Sequence, residues 1–201
     1  MSFLIIPRAK QTTSNRDRLM APSSTSLTQD TPIRIRQFQD ADLPQVAAIF
    51  ERGVMLYSTD PAMDYRWVEY VRKSLKTDLS DIDGTYVAPG GNFWVATLED
   101  GDGESKIVGM IALEAKTKTQ GEVRRVSVHP SYQRLGIGRR LMTHLVQWST
   151  ANRFTSLMLV ASHARKSALD FYDSFGFQHV DTTAFWFNPL YEGYVMVKTL
   201  A

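Results

Sequence analysis

Residues 133–138, Gln-Arg-Leu-Gly-Ile-Gly, constrain the fold of this chain more than any other stretch. They follow residues 122–130, where valines alternating with charged or polar residues predict a strand. They precede residues 139–152, where leucines and a tryptophan recur at helical spacing. A strand, a glycine turn and a helix in this order present free backbone N–H groups and the positive end of a helix dipole to an anion. The stretch therefore predicts a phosphate-binding turn.

Two glycines, Gly136 and Gly138, favour close contact between this turn and a phosphate, because a residue without Cβ lets the backbone approach. The turn is neither a P-loop nor a dinucleotide fingerprint, since the Gly-Lys-Ser/Thr ending and the third glycine are both missing. The two commonest nucleotide-binding motifs are thus excluded at this position.

Gln133-x-x-Gly136-x-Gly138, preceded by Val-Ser-Val-His-Pro at 126–130, resembles the pyrophosphate loop of the GCN5-related N-acetyltransferases, which use acetyl-CoA. A second match is the stretch Ala-Leu-Asp-Phe-Tyr-Asp-Ser-Phe-Gly-Phe at 168–177, which resembles that family's late helix and its closing Tyr-x-x-x-Gly-Phe. Two motifs in the family's order are far more specific than either alone. The resemblance runs from Ile33 to about Leu200.

The order of strand and helix patterns predicts an α/β domain over residues 32–201 with a largely antiparallel mixed sheet. The family resemblance implies helices on both faces of that sheet, and fourth and fifth strands that splay apart to admit the thioester arm of CoA. Residues 1–31 show no periodicity, and we predict a disordered tail. A mitochondrial targeting peptide is the alternative, because arginines there lie among hydroxyl residues.

Periodicity and turn residues predict the following strands and helices. The strands are expected at 33–38, 92–98, 107–115, 121–129, 155–160, 177–187 and 191–198. The helices are expected after an Asp40 N-cap and at 64–79, 139–152 and 164–175. The loop at 80–91 is rich in breakers, and we interpret it as a lid on the acceptor side.

Composition restricts the chemistry further. The chain has no cysteine, which excludes disulfides, thiolate metal sites and a cysteine nucleophile and fits a reducing compartment. We expect a cytoplasmic protein, with mitochondrial and nuclear locations as alternatives. The net charge of +2 is carried by residues 1–32, so nothing in the folded part favours nucleic acid or an anionic membrane as a partner. No apolar run approaches the ~20 residues of a membrane helix.

The resemblance implies which residues hold acetyl-CoA. Backbone groups of the glycine turn would bind the pyrophosphate, and the strand before it would pair with the pantetheine amides. Arg165 stands where the family often has asparagine, and its guanidinium could reach a CoA phosphate. Arg140, beside Arg139 in the first helical turn, either approaches the phosphates or faces solvent. The predicted CoA-binding residues are Val126, Ser127, Val128, Gln133, Arg134, Leu135, Gly136, Ile137, Gly138, Arg139 and Arg165.

Tyr172 lies four residues before Gly176, where members of the family commonly place a tyrosine whose hydroxyl faces the CoA sulfur. The resemblance therefore implies that Tyr172 protonates the leaving thiolate. The alternative is a core aromatic that packs beside Phe171 and Phe175.

Glu122 lies eleven residues before Gln133, the offset at which histone-modifying members of the family place their base glutamate. A half-buried carboxylate with a raised pKa could take the proton of the amine through a water molecule. The alternative is a solvated residue paired with Arg124. His163 is a weaker candidate that could border the cleft, and His129 is interpreted as a turn residue.

We predict no metal, because no two histidines have ligand spacing and the aspartates at 100 and 102 lack the spacing of a calcium loop. The predicted reaction is direct transfer of an acetyl group from acetyl-CoA to a primary amine of a small molecule or peptide, by a monomer or homodimer. The alternative is a non-catalytic acyl-CoA-binding or interaction module on the same fold. Residues 70–95 are reminiscent of the camello-type branch of the family, and the aspartates at 60, 64, 81 and 83 could attract a cationic acceptor.

Overall fold

A computed structural model describes residues 33–56, 58, 61–99, 105–187 and 190–200. The predicted tail, the turn with its aspartates at 100 and 102, and the aspartate at 60 lie outside these residues.

The sheet of the described chain has seven strands in the order β1-β2-β3-β4-β5-β7-β6. All neighbours are antiparallel except β4 and β5, which are parallel. The largely antiparallel α/β fold predicted from the sequence is therefore confirmed. The strands are β1 (Ile33–Gln37), β2 (Asn92–Glu99), β3 (Ser105–Ala115), β4 (Gln120–Val128), β5 (Ser156–Ser162), β6 (Gln178–Phe187) and β7 (Leu190–Thr199).

Four α-helices lie against this sheet: α1 (Leu43–Met55), α2 (Asp64–Lys76), α3 (Ile137–Ala151) and α4 (Lys166–Asp173). Helices α1 and α2 cover one face, where Phe50 and Trp67 join Phe93 of β2 in a buried cluster. Helix α3 covers the other face, where Trp148 packs edge-to-face on Trp94 at 5.2 Å between ring centroids. Neighbouring residues of a strand point to opposite faces, so adjacent Phe93 and Trp94 serve the two cores.

The start of α1 differs from the prediction of an Asp40 N-cap. Residues Asp40–Asp42 form a 3-10 turn, and α1 begins directly after it at Leu43, with a proline in its first turn. The carboxylate of Asp42 accepts a hydrogen bond from the backbone N–H of Gln39 at 2.8 Å and pairs with Arg36 at 2.6 Å. Proline favours the first turn of a helix because it has no N–H to satisfy, which places the boundary here.

The lid predicted at 80–91 is wrong. Helix α2 ends at Lys76, and the segment beyond it holds the π-helical turn Asp83–Val87. Ile82 and Tyr86 of this segment are 4% and 0% exposed, and the Tyr86 hydroxyl donates to Asp78. The apolar side chains between the breakers therefore belong to the core of the α1 and α2 face.

Strands β4 and β5 splay apart, as the resemblance implied. They pair only at Gln120, Gly121 and Glu122, although β4 continues to Val128 and β5 to Ser162. Beyond Glu122 the paired register ends, and the facing backbone edges border an open cleft. This cleft positions the site described below.

Candidate active site

A cavity of about 470 Å³ opens where β4 and β5 separate. Its walls come from β4 and β5, from α1 and α2, from the start and the end of α4, and from the β6–β7 hairpin. The structure thereby brings together seven of the predicted site residues, which are separated in the sequence by up to fifty positions. They are Glu122, Val126, Ser127, Val128, Gln133, Arg165 and Tyr172.

Residues 134–138 of the glycine turn lead into α3, and they lie outside the lining of the cavity, which Gln133 joins. Gly136 is the N-cap residue with φ +76°, and a Cβ built there would meet nothing within 4 Å. Arg134 is also left-handed, with φ 65°. Left-handed residues that alternate with extended or helical ones aim backbone N–H groups into a concavity suited to an anion. The turn at 134–139 thus has a backbone geometry that suits an anion, and its binding of pyrophosphate stays a prediction.

Other residues of the turn serve packing. Gly138 lies in the first turn of α3, and a Cβ there would lie 3.7 Å from Val128 Cγ2, an ordinary contact. Its backbone therefore does not require glycine, unlike that of Gly136. Ile137 is 1% exposed, so only its backbone is available to a ligand, and the side chain of Leu135 is half-buried.

The two arginines of this helix are held by protein groups. Arg139 lies over the ring of Phe175 at 5.1 Å and donates to Ser174 Oγ at 3.2 Å, which places it between the turn and the end of α4. Arg140 donates to the backbone carbonyl of Ile33 at 2.6 Å. Arg140 remains exposed, and this hydrogen bond links α3 to the edge strand β1.

Tyr172 lines the cavity and also packs against other aromatic rings. It projects from α4 into the cavity lining, and its ring also packs against Phe171 at 5.4 Å and Phe177 at 6.1 Å. Packing on one side fixes the ring, while the other side borders the splayed strands. The position suits a proton donor to a thioester sulfur in the cleft.

Glu122 lies in the cavity lining at the last paired position of β4, and its side chain is 22% exposed. Its carboxylate lies 3.3 Å from the ammonium of Lys116. The predicted pairing with Arg124 is wrong, because Arg124 pairs with Glu114 at 2.5 Å on the adjacent strand. The hydrogen bonds that Lys116 donates, first to Glu114 and then to Glu122, raise the pKa of Lys116.

The histidines lie apart from the cavity. His129 caps the turn Pro130–Tyr132 by accepting from the backbone N–H of Ser131 at 3.3 Å, which confirms its interpretation as a turn residue. Burial first, with nearby Arg52 and Lys106, lowers the pKa of His129. His163 Nδ1 lies 3.0 Å from the carbonyl of Glu192, and the residue does not line the cavity.

Two observations limit other kinds of site within the described residues. No three acidic or histidine side chains there come close enough together to hold a metal ion. None of the helices described is long and apolar enough to cross a bilayer.

Arg125 is a cavity residue that the sequence interpretation missed. It is 9% exposed, and its guanidinium binds both carboxylate oxygens of Asp78, from Nε at 2.8 Å and from Nη2 at 2.5 Å. Burial disfavours the charge on each partner, but their mutual hydrogen bonds outweigh it, raising the pKa of Arg125 and lowering that of Asp78. The available signal was an arginine at a strand position where alternation after Val123 predicts an apolar residue.

The fold is similar to that of solved acetyltransferases. The crystal structure of PaiA N-acetyltransferase from Thermoplasma acidophilum in complex with coenzyme A superposes with a TM-score of 0.65 at 17% identity, covering 84% of this chain and 99% of that one. At this identity the likeness establishes the fold alone. The chain therefore has the acetyltransferase fold, in which two central strands of the sheet splay apart.

Sequence comparison gives similar proteins in one family. The model of the acetyltransferase (GNAT) domain matches residues 89–179. The N-acetylaspartate synthetase of Xenopus tropicalis is 33% identical over 115 residues, which are 56% of this chain and 41% of that protein. N-acetyltransferase 8F1 of Rattus norvegicus is 29% identical over 181 residues, 85% of this chain and 77% of that protein. The chain thus spans about two fifths of the length of the synthetase it matches.

The match to the GNAT domain over residues 89–179 and the similarity to N-acetyltransferase 8F1 confirm the resemblance that the two motifs predicted.

Proposed function

We propose that this protein transfers an acetyl group from acetyl-CoA directly to a primary amine. The observation that carries the proposal is that Glu122 and Tyr172, from distant parts of the chain, line one cavity between splayed strands. The left-handed turn at the start of α3 supplies a site for the pyrophosphate.

The roles of the residues follow from the bonds that change. The amine nitrogen attacks the thioester carbonyl carbon, a C–N bond forms and the C–S bond breaks. Glu122 accepts the proton of the amine through water, and the Tyr172 hydroxyl donates a proton to the departing thiolate. Backbone N–H groups of β4 after Glu122, beyond the register with β5, stabilise the developing oxyanion. Arg165 at the start of α4 binds a phosphate or the pantetheine arm.

The acceptor side of the cavity is largely apolar. Leu56, Tyr70 and Phe185 are among the exposed large hydrophobic residues, at 50%, 40% and 44%, and all three line this cavity. Exposed apolar residues that converge on a cleft favour a ligand with an apolar surface. We therefore assign to this protein an acceptor amine that carries a large apolar group.

The observed charges do not favour a cationic acceptor. Asp64 binds the hydroxyl of Ser58, Asp81 accepts from the backbone N–H of Gly84 at 2.8 Å, and neither lines the cavity, nor does Asp83. The similarity to N-acetylaspartate synthetase raises a different candidate, an acceptor with carboxylates. Arg124 and Arg125 in the lining are already paired with Glu114 and Asp78, which weakens that candidate.

A comparison of matched acceptors tests both parts of the proposal. L-phenylalanine and L-aspartate share the α-amino and α-carboxylate groups and differ only in the side chain, while spermidine represents a polycation. We expect thiol release from acetyl-CoA to be fastest with phenylalanine. Faster release with aspartate or spermidine would contradict the acceptor assignment alone. Tight binding of acetyl-CoA without release across a broad amine panel would favour the acyl-CoA-binding module.

A further inference from the structure

Strand β4 contains a bulge in the middle of the cavity wall. Met110 of β3 pairs with Ser127 and Ala112 pairs with Arg124, so two residues of β4 oppose one residue of β3. Arg125 is the first residue of this bulge and has φ 56°. The left-handed conformation is unfavourable for a residue with a Cβ, so neighbouring contacts must hold it in place.

The contacts of Arg125 satisfy this requirement. Besides its two hydrogen bonds to Asp78, its Nη1 donates to the Tyr70 hydroxyl at 3.1 Å, and its guanidinium lies 4.5 Å from the ring centroid of Phe50. Asp78 also accepts from the buried hydroxyl of Tyr86. One side chain of the bulge is thus tied to α1, to α2 and to the segment after α2.

The bulge changes which way β4 presents its residues. Consecutive residues of a regular strand point to opposite faces. Arg124 nevertheless lies 6.0 Å from the ring of Tyr86, and Arg125 reaches Asp78, the partner of that same tyrosine. The second residue of the bulge, Val126, and the two that follow it, Ser127 and Val128, all line the cavity.

We infer that Arg125 is a positioning residue. Its two hydrogen bonds to Asp78 hold the bulge of β4 in place, and the bulge directs the backbone of Val126–Val128 toward the acyl group. Bulges beside active sites commonly redirect a strand in this way. The inference rests on the proposed transferase function, because the acyl group is the ligand so positioned. Arg125 touches no reacting atom, since its hydrogen bonds are directed to Asp78 and Tyr70.

The decisive variants separate positioning from stability. Arg125→Met leaves the buried Asp78 carboxylate without its cation, so its thermal midpoint should fall. In the double variant D78N/R125M the charge is gone and the amide oxygen can still accept from Tyr86, so the midpoint should recover. Arg125→Lys keeps the charge but loses the bidentate geometry, and it replaces the double variant if that variant does not fold.

We expect kcat of D78N/R125M to stay ~10²-fold below wild type, because small misplacements of reacting groups cost about that much. The KM for acetyl-CoA should change less than about threefold, since the pyrophosphate turn is intact. Amide hydrogen exchange at Val126 and Ser127 should be at least ~10-fold faster than in wild type.

The chain offers a matched control in a second bidentate pair. Arg36 binds Asp42 at 2.6 and 2.8 Å, and neither residue lines the cavity. The double variant R36M/D42N should therefore keep wild-type kcat and wild-type exchange at Val126 and Ser127.

Two results would overturn the inference. One is wild-type kcat in D78N/R125M or in Arg125→Lys, which would make the pair merely structural. The other is unchanged exchange at Val126 and Ser127, which would mean that the bulge persists without the pair. If wild-type protein transfers no acetyl group to any amine, the proposed function fails, and the exchange measurement alone still decides whether Arg125 holds the bulge.

Discussion

Two side chains, Tyr172 and Glu122, carry the proton transfers of the proposed reaction. Tyr172 is fixed by packing against neighbouring aromatic rings, and Glu122 is held by an ion pair with Lys116 at the last paired residue of β4. Each can be changed by a substitution that keeps its shape and removes only its proton chemistry. The residue scale is therefore where the mechanism is most sharply testable.

Replacing Tyr172 with phenylalanine removes the proton donor and leaves the ring contacts. We expect kcat to fall ~10²-fold, as for a lost general acid, while acetyl-CoA affinity measured by calorimetry is unchanged. Tyr65→Phe is the control, because Tyr65 is 58% exposed on α2 and outside the cavity lining. Equal activity of Tyr172→Phe and Tyr65→Phe would show that Tyr172 only packs.

Replacing Glu122 with glutamine preserves shape and hydrogen bonding but removes the proton acceptor. The variant must then wait for amine that is already deprotonated, so its rate should keep rising with pH toward the pKa of the free amine, beyond the pH at which the wild-type rate levels off. The pH–rate profiles of wild type and variant provide the measurement. Glu69→Gln on the exposed face of α2 should behave as wild type. Parallel pH–rate profiles for Glu122→Gln and wild type would show that Glu122 is not the proton acceptor and only forms the ion pair with Lys116.

At the scale of elements, periodicity predicted what depends on local sequence. Among the described residues, the seven strands and four α-helices lie where the period of the apolar residues placed them, within about three residues at most ends. The ends of α1 and α2 were misplaced because a proline set one boundary and a π-helical turn followed the other. The lid was mispredicted because burial of Ile82 and Tyr86 outweighs the turn propensity of the glycines around them.

The glycine turn gives a test at this scale. Gly136→Asp places a carboxylate at the predicted pyrophosphate site, where like charges ~4 Å apart at an effective dielectric constant of ~20 repel by about 4 kcal/mol. CoA affinity measured by calorimetry should therefore fall by at least ~10²-fold.

Gly90 is a matched control for that substitution. It also has a positive φ, 97°, and open space around a built Cβ, so Gly90→Asp carries the same backbone strain far along the chain from the turn. Its CoA affinity should equal that of wild type. Equal CoA affinities for Gly136→Asp and Gly90→Asp would show that the glycine turn does not bind CoA.

The junction of β1 and α1 predicts a pH dependence of stability. Burial disfavours the charge on Asp42, but hydrogen bonds from Arg36 and from the backbone of Gln39 outweigh it and lower the pKa of Asp42. A lowered folded pKa contributes stability above the unfolded value of about 3.9, and this contribution is lost as the pH falls through the folded pKa. Asp42→Asn should thus destabilise by about 1–2 kcal/mol at pH 7.

Urea unfolding of Asp42→Asn and wild type at neutral and acidic pH measures this contribution. The difference in free energy of unfolding should shrink as the pH falls below about 4, because the wild-type carboxyl then becomes protonated. A difference that stays constant down to pH 3 would show that packing, rather than charge, accounts for the effect.

At the scale of the whole molecule, the site depends on contacts that local patterns do not encode. Arg125 and Asp78 are 47 positions apart in the sequence. We infer that their pairing, between β4 and the segment after α2, holds the bulge of β4. Motif spacing predicted the turn and the positions of Tyr172 and Glu122, since these follow the family pattern. It could not predict the contacts of Arg125, or that Tyr70 and Phe185 would line the cavity. Both arise only when α2 and the β6–β7 hairpin approach the splayed strands.

In the proposed reaction, the acetyl group passes directly from the thioester of acetyl-CoA to the amine within the splayed cleft. Single-turnover reactions with isotope-labelled acetyl-CoA and phenylalanine, analysed by mass spectrometry, test it most directly. We expect labelled N-acetylphenylalanine and free CoA in equal amounts, no label on the protein, and a slower reaction with Tyr172→Phe. Bound acetyl-CoA that yields no labelled amide with any amine, or label that first accumulates on the protein, would contradict it.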